Sequence, residues 1–194
     1  MAWDTDGTRR RLKEAATAEF AEYGLAGTTM TQIAARAGIN KERLYSYYGD
    51  KAALWEAVLA DELNLLAAAV TLDPGDDIGE FVGETYDFHA NRPELARLLQ
   101  WEGLSRQPAV RADARAEHYR QKVAAIARAQ TEGKLDASLA PGPLLFSLIA
   151  LAAWWHTVPQ LAELVTGAAS DVDTESARRR SFVVDAARRL ADPR

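Results

Sequence analysis

The chain has 194 residues, 48% hydrophobic and 26% charged, with a formal net charge of −5. That is the profile of an ordinary soluble globular protein with room for one large domain or two small ones. Cysteine is absent, which excludes disulfides, thiolate nucleophiles and cysteine-based zinc sites. The N-terminal MAWDTDGTRRRLKEA lacks the apolar core of a signal peptide. The longest apolar run, LLFSLIALAAWW at 144–155, falls short of the ~20 residues that span a bilayer. A cytoplasmic protein with no membrane partner is expected.

Charge is unevenly spread. Residues 1–55 carry eight Lys/Arg against seven Asp/Glu, and the remainder fifteen against twenty-one. A mildly basic head on an acidic body fits this asymmetry.

Apolar residues recur at helical spacing throughout and no strand-like alternation occurs, so the chain reads as all-α. A first helix runs from about Thr8, with Leu12, Ala16, Phe20 and Tyr23 on one stripe, and stops at Gly24. Thr29 and Gln32 form a capping box that opens a second helix, in which Ile33, Ala34 and Ala37 face inward and Gly38 ends the run after about two turns. Asn40 caps a third short helix, Lys41 to about Tyr48, and Asp50 caps a long fourth with Ala53, Leu54, Ala57, Val58 and Leu65 as apolar positions. LDPGDD at 72–77 is the clearest break. Further helices are expected near 77–90, 93–104, 108–132, 143–165 and 174–191, about nine in all, with DASLAPGP and TGAASDVDT as the loops before the last two. Pro159 should kink or end the helix at 143–165, and Phe182, Val183, Ala186, Ala187 and Leu190 form the apolar face of the last.

Two short helices joined through a glycine, with a small residue where they cross, make a helix-turn-helix at about 29–48. Ala34 leaves room for the crossing helix, Gly38 supplies the tight backbone, and Ile39 and Leu44 are the apolar anchors. On the third helix Leu44 and Tyr48 share the core face. The outward residues Lys41, Glu42, Arg43, Tyr45, Ser46 and Tyr47 then form a surface suited to a double-stranded DNA operator. Arg43 can bond guanine O6 and N7, or pair on the surface with Glu42 or Asp50. Glu42 can accept from cytosine N4 or orient Arg43. Tyr45 and Tyr47 can offer phenol hydroxyls to phosphates, or be exposed structural aromatics. Thr29 is a plain N-cap, a phosphate contact at the positive end of a helix, or both, and Thr31 one step on can reach a base edge or lie in solvent. The run Arg9, Arg10, Arg11 and Lys13 suits either the DNA backbone or a solvated helix start.

The stretch AEFAEYGLAGTTMTQIAARAGINKERLYSYYGDKAAL, residues 18–54, resembles the TetR family of transcriptional regulators. The resemblance rests on Phe20, Gly24, Thr28, Thr29, Ile33, Ala34, Ala37, Gly38, Leu44, Tyr45, Tyr47 and Lys51. It implies a three-helix DNA-binding domain at 1–53 and a helical effector-binding and dimerisation domain at 54–194. It also implies that Lys51 clamps a phosphate and that helices 143–165 and 174–191 pair with their copies in a homodimer. Glu42 and Arg43 stand where such proteins commonly have small residues, and Tyr48 replaces the usual Phe or Val. Both changes bear on base preference.

Tyr86, His89, Trp101, Tyr119, Trp154 and Trp155, with Phe146 and His156, are aromatics that either line a pocket for a small-molecule effector or fill the core and interface. His89, His118 and His156 have no metal-ligand spacing, and there is no P-loop or GxSxG, so no enzyme, metal or cofactor is expected. The expected function is a ligand-responsive regulator, most simply a repressor. The other reading is a helical ligand-binding or interaction module whose helix-turn-helix is only structural.

Overall fold

The computed structural model describes residues 5–167 and 172–193. Among them the chain forms ten α-helices and no strand: α1 (Thr5–Gly27), α2 (Met30–Ala37), α3 (Lys41–Tyr48), α4 (Lys51–Ala69), α5 (Ile78–Asn91), α6 (Pro93–Ser105), α7 (Ala112–Thr131), α8 (Pro141–Thr157), α9 (Pro159–Thr166) and α10 (Val172–Ala191). The all-α expectation holds. The tenth helix arises because Pro159 splits the stretch read as one helix at 143–165. Val158 takes φ −132° and ψ 61°, and α8 and α9 bend by 89° there, since proline has no N–H to continue the ladder. Helix α7 begins at Ala112 rather than 108 because Arg106 and Arg111 have φ of 55° and 48°, which no right-handed helix accommodates. Of the loop expected at 166–174, residues 168–171 lie outside the described residues. No single helix among the described residues is long and apolar enough to cross a membrane.

The chain divides into two compact units. The first comprises the described residues through Asn64 together with Glu94–Ala112, and the second Leu65–Pro93 with the described residues from Asp113 onward. Both this division and the boundary expected from the sequence between residues 53 and 54 fall inside α4, and nearly all of α6 goes with the first unit.

In the first unit Leu12, Ala16 and Phe20 are fully buried, as their stripe requires, and the Phe20 and Trp55 rings meet edge to face at 5.3 Å. Tyr23 leaves the stripe and is exposed. The neighbouring Glu22 carboxylate pushes its pKa up. Ala53 and Leu65 are likewise exposed on α4, where Leu54, Trp55, Val58 and Leu59 are the buried positions. The helical path of α1 breaks at Gly24 (φ 67°, ψ 179°). The break leaves the Ala21 carbonyl to accept from Arg97 Nε at 2.8 Å and Trp101 Nε1 at 3.2 Å, both from α6. Only glycine suits this point: a Cβ on Gly24 would lie 2.7 Å from the Trp101 ring.

The second unit is organised by α5, α8 and α10 around Phe81, Val82, Tyr86, Leu144, Leu148, Val183 and Ala187. On α10 the buried residues are Val183, Val184, Ala187 and Ala191, whereas Phe182 and Leu190, expected on that face, are exposed. Helix α5 lets α10 approach through Gly79 and Gly83, where a Cβ would lie 2.9 Å from the Val184 carbonyl and 2.8 Å from Val184 Cγ2, respectively. The same contact carries ion pairs from Arg180 to Asp87 (2.7 Å) and Glu80 (3.1 Å), and from Arg188 to Asp77 (3.0 Å) and Glu80 (3.1 Å). Asp77 also caps α5, and the Arg188 hydrogen bond leads the effects that hold its carboxyl below the usual range. Lys122 of α7 is buried with its ammonium donating to the Val70 carbonyl at 2.6 Å and lying 5.0 Å from the Phe81 ring centre. Burial pushes its pKa down.

Gly79→Ala should destabilise the protein even though alanine favours a helix by ~1 kcal/mol, because overpacking against a backbone oxygen costs ~1–3 kcal/mol. Thermal circular dichroism at matched protein concentration should show Tm lowered by roughly 2–8 °C. Gly142→Ala on α8, with nothing within 4 Å of its Cβ, should leave Tm unchanged or slightly raised.

Candidate nucleic-acid interface

Helix α2 starts at a complete capping box. Thr29 Oγ1 accepts from Gln32 N (3.2 Å) and lies 2.6 Å from Gln32 Oε1, which also accepts from Thr29 N (2.9 Å). The Thr29 hydroxyl is therefore committed to the cap. Helix geometry provides no intrahelical acceptor for the Met30 and Thr31 amides, which sit at the positive end of α2. The helix ends at Gly38, left-handed at φ 64° and ψ 34°, whose N–H reaches the Ala34 and Ala35 carbonyls. Ile33 and Ala34 are buried, and Ala37 is half-buried.

Asn40 caps α3 by accepting from Arg43 N at 3.1 Å, and Asp50 Oδ1 accepts from Ala53 N at 2.8 Å at the start of α4. Leu44 is the one fully buried residue of α3. Tyr48 is half-buried and its hydroxyl donates to the Arg9 carbonyl of α1 at 3.5 Å. Burial raises its pKa. Lys41, Glu42, Tyr45 and Ser46 are exposed, as is Thr31 on α2. Lys41 Nζ lies 5.7 Å from the Tyr45 ring centre. The half-buried Tyr47 ring has two guanidinium groups over it, Arg43 at 6.0 Å and Arg9 at 5.6 Å. Glu42 occupies the first turn of α3, where the helix dipole favours a carboxylate.

Of the basic run on α1, Arg9 joins Tyr47, Arg10 lies within 3.9 Å of Glu14, and Lys13 pairs with Asp61. Lys51, in the first turn of α4, donates to the Thr28 carbonyl at 2.8 Å. The Thr28 hydroxyl in turn donates to the Glu19 carbonyl, and the Glu19 carboxylate holds Arg36 of α2 at 2.6 Å. Sequence reasoning missed the ties from Arg9, Lys51 and Trp101, since each joins residues far apart in the chain.

The aromatics named as pocket candidates separate. Trp101 belongs to the first unit, packed on Gly24. In the second unit Trp154 is exposed, and Tyr119 and Trp155 are half-buried against the core, with Trp155 edge-on to Phe182 at 6.2 Å and Arg179 5.2 Å from its ring centre. Tyr86 and His89 are buried and meet His156: the Tyr86 and His156 rings are 4.7 Å apart, and the two imidazoles stack at 6.0 Å and 25°. Among the described residues no three His, Cys, Asp or Glu side chains group as a metal site.

A capped helix, a left-handed glycine turn and a second helix that buries a single side chain define a helix-turn-helix protein of the kind that reads the DNA major groove. Residues 12–58 match the family described as bacterial regulatory proteins, tetR family, and residues 77–189 match the Tetracyclin repressor-like, C-terminal domain. The chain belongs to the TetR family. It is 40% identical over 193 residues to the HTH-type transcriptional repressor SCO4008 of Streptomyces coelicolor, covering 98% of each protein. It is 29% identical over 168 residues to the HTH-type transcriptional regulator RutR of Escherichia coli, covering 82% of this chain and 79% of that one. The crystal structure of the S. coelicolor regulator SCO4942 superposes with a TM-score of 0.81 at 32% identity, over 95% of this chain and 98% of the other.

Burial, with a smaller contribution from His156, pushes the His89 pKa down to about 4 from its ordinary 6.5. Because the unfolded chain takes up the proton first, stability is complete above pH ~6.5 and falls as the pH drops toward 4, by up to ~3 kcal/mol from this group. Urea unfolding from pH 7 to 4 should show that fall, and His89→Phe should flatten it.

Proposed function

We propose that the chain is a repressor that binds a palindromic operator as a homodimer and is released by a small-molecule effector. Residues to about 53 are the reading head, residues 54–194 carry effector binding and dimerisation, and the protein works in the cytoplasm without catalysing a reaction. The observation that carries the DNA reading is the division of α3: Leu44 alone is buried, Lys41, Tyr45 and Ser46 are exposed, and Arg43 and Tyr47 are half-buried beside them. The 40% identity to a named transcriptional repressor supports the direction of regulation.

In this reading Arg43 contacts a guanine edge while Tyr47 holds its plane, and Ser46 faces a neighbouring base. Lys41 and Tyr45 contact phosphate. At α2 the phosphate is met by the backbone amides of Met30 and Thr31, with Thr29 shaping the turn, because its hydroxyl is already engaged. Lys51 spends one of its three ammonium protons on Thr28 and offers the others to phosphate. Glu42 stabilises the start of α3. One head reads too few bases for specificity, whereas two heads ~34 Å apart read a palindrome.

Exposed apolar side chains support the dimer. Phe146 (75% exposed) and Trp154 (56%), two helical turns apart on α8, and Phe182 (57%) on α10 are large side chains that a second copy would cover. A coupling of ~1–3 kcal/mol between effector and operator changes DNA affinity about 5- to 150-fold.

Fluorescence anisotropy with duplexes from the DNA flanking the gene should show salt-sensitive, sequence-selective binding, and its absence defeats this reading. Arg43→Ala should cost ~1–3 kcal/mol and relax preference at one base pair. Lys51→Ala should weaken all sequences alike and lower the salt slope by about 1. Sedimentation velocity should find a dimer that Phe182→Glu converts to monomer. A variant still dimeric at micromolar concentration would place the interface elsewhere.

A further inference from the structure

Two buried ring nitrogens of the second unit have no hydrogen-bond partner among the described residues: His89 Nδ1 and His156 Nε2. His89 is 2% exposed, so its nitrogen is cut off from bulk solvent. Buried polar atoms are nearly always paired in folded proteins, and two unpaired atoms on stacked rings 6.0 Å apart mark one place that asks for a partner. The neighbouring groups do not supply it. The Thr85 hydroxyl is turned to the Phe81 carbonyl, and the Asp87 carboxylate is held by Arg180.

The chemistry of the missing partner follows from the tautomer. The Tyr86 backbone favours a proton on His156. Since Nε2 is unpartnered, that proton is assigned to Nδ1, and in a neutral imidazole this leaves a lone pair on Nε2. Burial and the Arg179 cation lower the His156 pKa, and burial lowers that of His89, so both rings are neutral at pH 7. A neutral His156 Nε2 accepts and cannot donate. A carboxylate or phosphate therefore finds no donor there, whereas a hydroxyl or ring N–H does. The surrounding rings, with Tyr86 4.7 Å from His156, favour a flat molecule.

We propose that the His89–His156 pair is the polar anchor of the effector site, and that it selects a planar aromatic or heteroaromatic ligand that donates a phenolic O–H or ring N–H to His156 Nε2 and bonds His89 Nδ1. This rests on the reading of the second unit as effector-binding, and it names the class of effector.

The test uses the full chain labelled with 15N-histidine, whose two-bond 1H–15N spectrum reports tautomer, protonation and hydrogen bonding at each ring nitrogen. The probes are phenol, anisole and benzoate at millimolar concentration. Phenol should move the His156 Nε2 resonance saturably while the ring stays neutral. Anisole, without a donor, and benzoate, an anion, should not. His156→Phe and His89→Phe, checked for native helical circular dichroism, should each weaken phenol binding about tenfold. The proposal is overturned if benzoate binds with protonation of either ring, if anisole matches phenol, or if phenol moves neither ring because a buried water already holds the nitrogens. Because these readouts come from wild-type imidazoles, they hold even where a variant does not fold. Operator anisotropy with and without saturating phenol separates this proposal from the regulatory one. Phenol bound at the imidazoles without effect on DNA affinity would spare the site and sink the effector role. Lack of DNA binding would sink the regulator and leave the imidazole result standing.

Discussion

Helix α3 must be held firmly while spending almost none of its side chains on being held. Eight residues make barely two turns, too short to be stable alone in water. Here one buried leucine, an Asn40 cap, a left-handed Gly38 turn and the Tyr48–Arg9 tie together fix it. Because so little of α3 is used for packing, Lys41, Arg43, Tyr45, Ser46 and Tyr47 are left on or near its surface. The neighbouring helices supply the rigidity: Glu19 links α1 to Arg36 of α2, and Lys51 of α4 reaches back to Thr28.

The second unit solves a different problem. Its helices α5 and α10 approach closely over Gly79 and Gly83, and arginines from α10 close over the contact on carboxylates from α5. Ion pairs this exposed contribute little individually, so shape at the glycines carries the packing and the charges fix its register. Against that well-satisfied background the unpaired nitrogens of His89 and His156 stand apart. The same burial that keeps these imidazoles neutral defines what they can bind.

Much of the helix-turn-helix was legible because each of its requirements is local. A capping box needs Thr and Gln three apart, a left-handed turn needs glycine, and a crossing point needs alanine, and all occur at the right spacing. The last helix was less legible. Val183, Val184, Ala187, Phe182 and Leu190 are all apolar, and a helix buried on one side and available to a partner on the other shows no single stripe. Pro159 announced a break but not its size, and the aromatic pool of the second unit looked uniform until Trp154 proved exposed and His156 proved a partner of Tyr86 and His89.

Sequence alone determined the helical class, the capped and glycine-punctuated turn, and the exposure of Lys41, Glu42, Tyr45 and Ser46 on α3, because these depend on interactions within a few residues of chain. Tertiary structure decided which charges were already engaged. Arg9 was an ambiguous member of a basic run until it met Tyr47, and Lys51, expected only as a phosphate clamp, donates to the Thr28 carbonyl. Trp101 was one aromatic among many until the break at Gly24 placed a carbonyl beneath its indole N–H. Such contacts bring together groups 23 to 80 residues apart, and no periodicity records them, because the chain between them can close that loop in many ways and only packing selects one.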